Sequence, residues 1–195
     1  MQRQILAAYD DTGVVVYQAF QPDTVHEAVR LQVFGKGFGL DRMTWIKPSL
    51  GWMLYRSGYA SKARQQRIVQ VTIQHDGFLA MLADAVPSGY ERDLYASRSE
   101  WDVALRRSEA RYQWDPDRDL ALRPLARRAL QLGIEGSLIR RYAREWIVRI
   151  ADVTDLAHAI RDSVAAGRPL PEVPVERPYV VADDLARRMS VTAAA

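Results

Sequence analysis

The sequence predicts a single α+β domain with a mixed, mainly antiparallel sheet and short flanking helices. Its 195 residues, 48% of them hydrophobic, are enough for one sizeable core. Strand-like runs interleave with short helical segments, and the first two strands are separated by the turn-forming sequence Asp-Asp-Thr-Gly at 10–13. These elements fill residues 1–167, and a proline-rich C-terminal arm with a short helix follows at 168–195.

The strands are predicted from runs of β-branched, aromatic and alternating apolar residues. RIVQVTI at 67–73 alternates most clearly, and VVVYQAF at 14–20 is apolar enough for a central strand. Asp115-Pro-Asp-Arg-Asp119 has the composition of a turn rather than of a divalent metal site. The remaining predicted strands are 5–9, 43–46, 111–114, 120–125, 128–134 and 146–151.

The helices are predicted from capping residues and helical stripes. Pro22 opens the first one, and Ser97 and Glu100 have the spacing of a capping box. Gly58 ends the helix that begins at Pro48, and Asp76, Ser137 and Thr154 are predicted to cap others. The predicted helices are 22–33, 48–57, 77–85, 97–107, 137–144, 154–167 and 183–189.

Composition excludes several classes of site. Cysteine is absent, which excludes disulfides, thiolate metal sites and cysteine catalysis, and suits a cytoplasmic protein. No apolar run approaches the roughly 20 residues that span a bilayer, so we expect no membrane partner. His26, His75 and His158 lack the spacing of a zinc motif, and no metal is predicted.

The basic residues are mostly arginine. The net charge is +3, and lysine occurs only at positions 36, 47 and 62 among the 27 basic residues. Arginine pairs with phosphate in bidentate fashion and stacks on planar rings, which favours a nucleotide or RNA ligand. A genomic bias towards arginine codons explains the same composition, and composition alone leaves both readings open.

Residues 42–59, RMTWIKPSLGWMLYRSGY, form the candidate site. They predict a strand, a turn and a helix whose free first-turn amides lie beside Lys47 and Ser49, an arrangement that binds anions. Ser49, Trp52 and Arg56 fall on one helix face. The alternative is that Trp52 belongs to the core, Ser49 is a plain cap and Arg56 only meets the helix C-terminus.

Five motifs carry a resemblance. RMTWIKPS and WMLYRSG in the candidate site, QWDP at 113–116, LQLG at 130–133 and EWI at 145–147 resemble an uncharacterised family, domain of unknown function 4291. The resemblance covers roughly the first 165 residues and leaves the proline-rich arm outside. It implies no reaction.

The order of elements is also similar to the front half of NAD-dependent ADP-ribosyltransferases. In that superfamily the first strand carries Arg or His, the second Ser, Thr or Tyr, and a late strand Glu or Gln. The similarity implies NAD as cofactor, with Gln18 standing where the superfamily has Arg or His. The corresponding positions would be Gln18 or Tyr17, Thr44 or Ser49 with Tyr55, and Gln131 or Glu135.

The leading hypothesis is a cytoplasmic, nucleotide- or NAD-binding enzyme that transfers ADP-ribose to a nucleic acid or nucleotide acceptor. A non-catalytic RNA- or nucleotide-binding module is the alternative, and a structural protein that forms a homo-oligomer through its arm is a third. The predicted roles are phosphate binding by Arg42, Lys47, Ser49 and Arg56, ring stacking by Trp45, Trp52 or Tyr55, and ribose orientation by Gln131 or Glu135.

Overall fold

The described chain opens with four strands, after which helices and strands alternate except at one hairpin. The computed structural model describes residues 2–192. The strands in this range are β1 (Gln2–Arg3), β2 (Leu6–Ala7), β3 (Tyr9–Asp10), β4 (Gly13–Phe20), β5 (Thr44–Ile46), β6 (Arg67–Ile73), β7 (Ala85–Pro87), β8 (Ala110–Arg118), β9 (Pro124–Ile134), β10 (Ile147–Asp152) and β11 (Arg177–Pro178). The helices are α1 (Pro22–Leu31), α2 (Leu50–Ser57), α3 (His75–Asp84), α4 (Arg98–Arg107), α5 (Gly136–Arg144), α6 (Thr154–Ala165) and α7 (Asp183–Arg188).

The first sheet has the strand order β10-β6-β4-β3, and every neighbouring pair is antiparallel. β4 and β6 pair along their full lengths, from Val14 opposite Ile73 to Phe20 opposite Arg67. Side chains alternate between the two faces of a strand, so Val14 and Val16 enter the main core while Tyr17 enters a second, smaller one beneath α2 and α6. The predicted α+β class and the β6 alternation are confirmed.

The second sheet has the order β1-β9-β8-β7, and β5 pairs with the end of β9. β8 and β9 form a long antiparallel hairpin. The predicted turn at Asp115–Asp119 is wrong, because β8 continues to Arg118 and the chain reverses after it. Asp115 and Asp117 can occupy a strand because each carboxylate has polar partners that satisfy it.

The two sheets meet at Lys47, directly after β5. Its N–H donates to the carbonyl of Tyr17 at 3.2 Å, and the Tyr17 N–H donates to the Lys47 carbonyl at 2.7 Å. Tyr17 lies in the middle of β4, so this bridge joins an edge of the second sheet to the first. The side chain of Lys47 is thereby held at the junction of the sheets.

Capping follows the sequence at some helices and departs from it at others. The Ser97 hydroxyl accepts from the Glu100 N–H, and Gly58 ends α2 in the left-handed conformation, as predicted. Asp76, Ser137 and Thr154, predicted as caps, lie instead inside the first turns of α3, α5 and α6. These three helices therefore begin one or two residues earlier than the predicted caps imply, because several polar residues near a helix start can each look like its cap.

The C-terminal arm runs back over the domain. β11 pairs with β2, and the Tyr179 N–H donates to the carbonyl of Ile5 at 2.8 Å. Leu185 and Met189 are buried, and the Trp114 indole N–H donates to the Met189 carbonyl at 2.9 Å. The arm therefore packs on its own chain, and a homo-oligomer formed through it stays a prediction.

No helix among residues 2–192 is long and apolar enough to cross a membrane.

Candidate functional site

A cleft of about 320 Å³ opens where β4, β5 and α2 meet, and we call it the Lys47 cleft. Four of its lining side chains are cationic, and no aspartate or glutamate lines it among the residues that the structure describes. The cations come from four places in the chain: the approach to β5, the residue directly after β5, α2, and the loop that follows α2. The lining consists of Gln18, Ala19, Phe20, Arg42, Met43, Thr44, Trp45, Lys47, Met53, Arg56, Arg64 and Gln65.

Lys47 lies at the floor of this cleft. Only 4% of the residue is exposed, and its amine makes no hydrogen bond or ion pair with any residue in the range 2–192. Burial lowers the pKa of Lys47 to about 8, the charge of Asp115 opposes the change, and the nearby charge of Arg56 adds to it. The site thus holds a buried amine that has no counter-ion in contact.

Asp115 of β8 is the carboxylate whose charge acts on Lys47. It accepts hydrogen bonds from the amides of Gln113 at 2.9 Å and Gln131 at 3.1 Å. Burial raises the pKa of Asp115, and the charges of Lys47 and Arg128 oppose the change, as does the Gln113 bond. Gln131, predicted to be catalytic, therefore reaches the cleft only through Asp115.

Gln18 and Thr44 meet at the edge of the cleft. The Gln18 amide donates to the Thr44 hydroxyl at 2.8 Å and to the Trp45 carbonyl at 3.2 Å, and its oxygen accepts from the Tyr142 hydroxyl at 2.8 Å. These bonds fix β5 against β4. Gln18 and Thr44, two of the alternative positions named for the ADP-ribosyltransferase similarity, are thus neighbours in space, and the similarity itself stays a prediction.

Trp45 and Trp52 have different environments. Trp45 lines the cleft and lies against Gly133, where an added Cβ would sit 3.0 Å from the indole. Glycine at 133 therefore allows the ring to lie close to β9. Trp52 is 9% exposed, stacks on Tyr55 with ring centroids 5.2 Å apart, and lies outside the cleft lining. The guanidinium of Arg118 covers the Tyr55 ring at 4.2 Å.

The start of α2 is already occupied by side chains. The Ser49 hydroxyl accepts from the Trp52 N–H at 3.3 Å and donates to Asp117 at 3.1 Å. Glu176, from the arm, accepts from the Leu50 N–H at 2.6 Å. Ser49 and Glu176 line a different depression from the Lys47 cleft, so the structure places Ser49 apart from the predicted phosphate ligands Arg42, Lys47 and Arg56.

The carboxylates at this helix start are close enough to repel. The pKa of Glu176 is raised to about 7, mainly by burial; the Leu50 hydrogen bond opposes the rise, and the charge of Asp117 contributes to it. Asp117 is compensated by the Arg127 guanidinium at 2.7 Å. The arm is thus fastened to α2 by a carboxyl group that gains a proton near neutral pH.

The predicted site residues divide into two sets. Glu135 pairs with Arg111 at 3.5 Å and does not line the cleft, nor do Gln131 and Tyr55. Arg64 and Gln65 line the cleft and were not predicted, because no motif marks the loop in which they lie. With the Gln65 amide turned so that both of its ends have partners, its oxygen accepts from the Arg56 guanidinium at 3.2 Å. The predicted residues that the structure brings together are Gln18, Arg42, Thr44, Trp45, Lys47 and Arg56.

A family model described as a domain of unknown function, DUF4291, matches residues 4–179. The chain belongs to the DUF4291 family. The match confirms the resemblance carried by the five motifs and extends it beyond residue 165, so that Glu176 lies within the DUF4291 domain. A search of curated proteins found none that matches this chain.

Residues 2–192 contain no group of three or more His, Asp or Glu side chains arranged to hold a metal ion.

Proposed function

We propose that the Lys47 cleft of this DUF4291 domain binds a nucleotide-type ligand. The observation that supports this most directly is the charge of the lining: four cationic side chains and no acidic one among the described residues. A cleft of about 320 Å³ also falls within the range of small-molecule sites. An anionic ligand with a planar ring suits such a lining better than a neutral or cationic one.

The lining assigns a place to each part of the ligand. Arg42, Arg56 and Arg64 are exposed and come from three separate segments, and their guanidinium groups can bind the phosphate groups. Lys47 adds a fourth cation at the floor. Trp45 offers an aromatic face for the base or nicotinamide ring, since aromatic side chains stack on such rings.

The enzymatic form of the proposal is a cytoplasmic transferase that uses NAD. An acceptor on a nucleic acid or nucleotide would replace nicotinamide at the ribose carbon and release a proton. The contact between Gln18 and Thr44 supports this form, because both residues line one cleft and both are positions that the expected similarity would use. Gln131 would act as a positioning residue, because it holds Asp115, whose charge acts on Lys47.

A non-catalytic RNA- or nucleotide-binding module is the second candidate. The absence of a carboxylate from the cleft lining, within residues 2–192, favours it, because no lining carboxylate can take a proton from an acceptor hydroxyl. In this form the same arginines bind phosphate and Trp45 stacks on a base.

Calorimetric titration with ADP, NAD and ribose tests the shared part of both forms. We expect ADP and NAD to bind, ribose to fail, and affinity to fall with added salt. Arg56→Ala should weaken ADP binding by about tenfold, or 1.4 kcal/mol. Arg144→Ala, an exposed arginine on α5 outside the cleft, is the matched control and should leave the affinity unchanged. Equal losses in both variants would contradict a specific site.

Incubation with labelled NAD and RNA, DNA or nucleotide acceptors separates the two forms. Transfer of label that is lost in Arg56→Ala supports the transferase. ADP binding without any transfer supports the binding module. If neither NAD nor ADP binds, the proposal fails in both forms.

A further inference from the structure

We propose that Lys47 is a nucleophilic amine that forms an imine with small phosphorylated aldehydes bound in its cleft. This inference rests on the proposed function, because it requires the cleft to bind a phosphate group. It adds a substrate class and a covalent step to that function, and it gives Lys47 a role different from phosphate binding.

The position of the amine carries the argument. Lys47 is 96% buried at the floor of the cleft, since 4% of it is exposed, and its amine has no hydrogen-bonding partner among residues 2–192. The amine is not one of the fully enclosed polar atoms without partners, so it retains contact with the cleft. An unpaired buried amine lowers stability, which makes a purely structural role a poor explanation.

The other lysines provide a contrast within the same chain. Lys62 is exposed, and its amine donates to the Arg56 carbonyl at 2.9 Å and to the Tyr55 carbonyl at 3.4 Å. Lys36 is exposed on a loop. Of the three lysines in the sequence, only Lys47 combines burial, access to a cleft and a free amine.

Phosphate binding and nucleophilic attack belong to different cations in the cleft. Arg42, Arg56 and Arg64 carry guanidinium groups, whose planar shape suits them to hold a phosphate group. The pKa of Lys47 is about 8 because burial and Arg56 lower it while Asp115 opposes them. A substantial fraction of this amine is neutral near pH 8, and only the neutral amine attacks a carbonyl.

The covalent step needs no co-reactant. The neutral amine attacks the aldehyde carbon, a carbon–nitrogen bond forms, and the carbonyl electron pair moves to oxygen. A proton passes from nitrogen to oxygen to give the carbinolamine. Loss of the hydroxyl group with the remaining nitrogen-bound proton, as water, gives the imine. The net change is amine plus aldehyde to imine plus water, and nothing is oxidised or reduced.

Trapping with borohydride tests the inference, with pyridoxal 5′-phosphate and glyceraldehyde 3-phosphate as probes. Peptide mass spectrometry then assigns the reduced adduct among the three lysines. At pH 7.5 we expect Lys47 to be labelled about tenfold more than Lys36 or Lys62, because a lowered pKa leaves more of its amine neutral. Pyridoxal, which lacks the phosphate, should label Lys47 about tenfold less. Excess ADP should block the reaction at this residue.

Variants supply the controls. Lys47→Met should abolish the cleft adduct, and Lys36→Met, the matched control, should leave it unchanged. If Lys47→Met fails to fold, the distribution of label in the wild-type protein decides the question alone. Equal labelling of all three lysines, or equal labelling by pyridoxal and its phosphate, would overturn the inference. ADP binding without any Lys47 adduct overturns the inference but leaves the proposed function standing. If neither ADP binding nor a Lys47 adduct is seen, the inference and the proposed function both fail.

Discussion

Replacing Lys47 by methionine should make the protein more stable at neutral pH while it removes the imine-forming amine from the cleft. The physical reason is that the folded state holds a charged amine in a site that desolvates it and gives it no partner in contact. Methionine has a similar length and no charge, so it fills the same space without this penalty. A gain in stability with a loss of function is typical of a side chain retained for its chemistry.

The size of the gain follows from linkage. The pKa of Lys47 falls from the ordinary 10.5 to about 8. Because each pKa unit corresponds to about 1.4 kcal/mol, the charged amine costs the folded state about 3 kcal/mol below pH 8. The opposing charge of Asp115 is already included in this pKa, so the expected gain stays at about 3 kcal/mol.

The pH dependence has a definite sign. Between pH 8 and 10.5 the unfolded state binds more protons at this residue than the folded state does, so wild-type stability gains relative to the variant as pH rises. The advantage of Lys47→Met should therefore be full at pH 7 and nearly absent at pH 10.5. Urea unfolding of both proteins at the two pH values measures it, with Lys36→Met as control. A variant less stable than wild type at pH 7, or an advantage independent of pH, would refute the reasoning.

Three other substitutions have distinct expected outcomes. Gln18→Ala leaves a buried tyrosine hydroxyl without its acceptor and should lower the free energy of unfolding in urea by about 2 kcal/mol. Gly51→Ala places a Cβ 2.1 Å from the Arg118 carbonyl and should lower the thermal midpoint, whereas Gly89→Ala, which meets nothing within 4 Å, should not. Glu176→Gln should raise the thermal midpoint at pH 8 and leave it unchanged at pH 4. The pKa of Glu176 is raised to about 7, so its carboxyl group is neutral at pH 4 and charged at pH 8, where burial disfavours the charge and the folded state loses stability.

Elements defined by neighbouring residues could be predicted from the sequence. The β6 strand shows its alternation in seven consecutive residues, and α2 has its Ser49 cap and its Gly58 stop within the predicted segment. The α+β class, the DUF4291 membership and the strand–turn–helix around Lys47 were accessible for the same reason, since short-range signals determine them.

Features that depend on long-range contacts could not be predicted. Asp115 and Asp117 have a turn composition, and only their partners on β9 make a strand favourable there. Ser49 looked available for phosphate until the fold brought Glu176, 126 residues from Leu50, to the same helix start. Whether Trp45 or Trp52 lined the cleft also depended on tertiary packing, and Trp45 does so because Gly133 leaves room for it.

The bridge between Tyr17 and Lys47 uses main-chain atoms only. A change of side chain at position 47 therefore alters the chemistry of the cleft floor while the backbone keeps its place, so variants there can be compared without a shift of the scaffold. Because the same two amides join both sheets, their hydrogen-exchange rates should slow together when a ligand fills the cleft. Amide exchange at Tyr17 and Lys47 would then report ligand occupancy of the cleft through the backbone, independently of any optical or enzymatic signal.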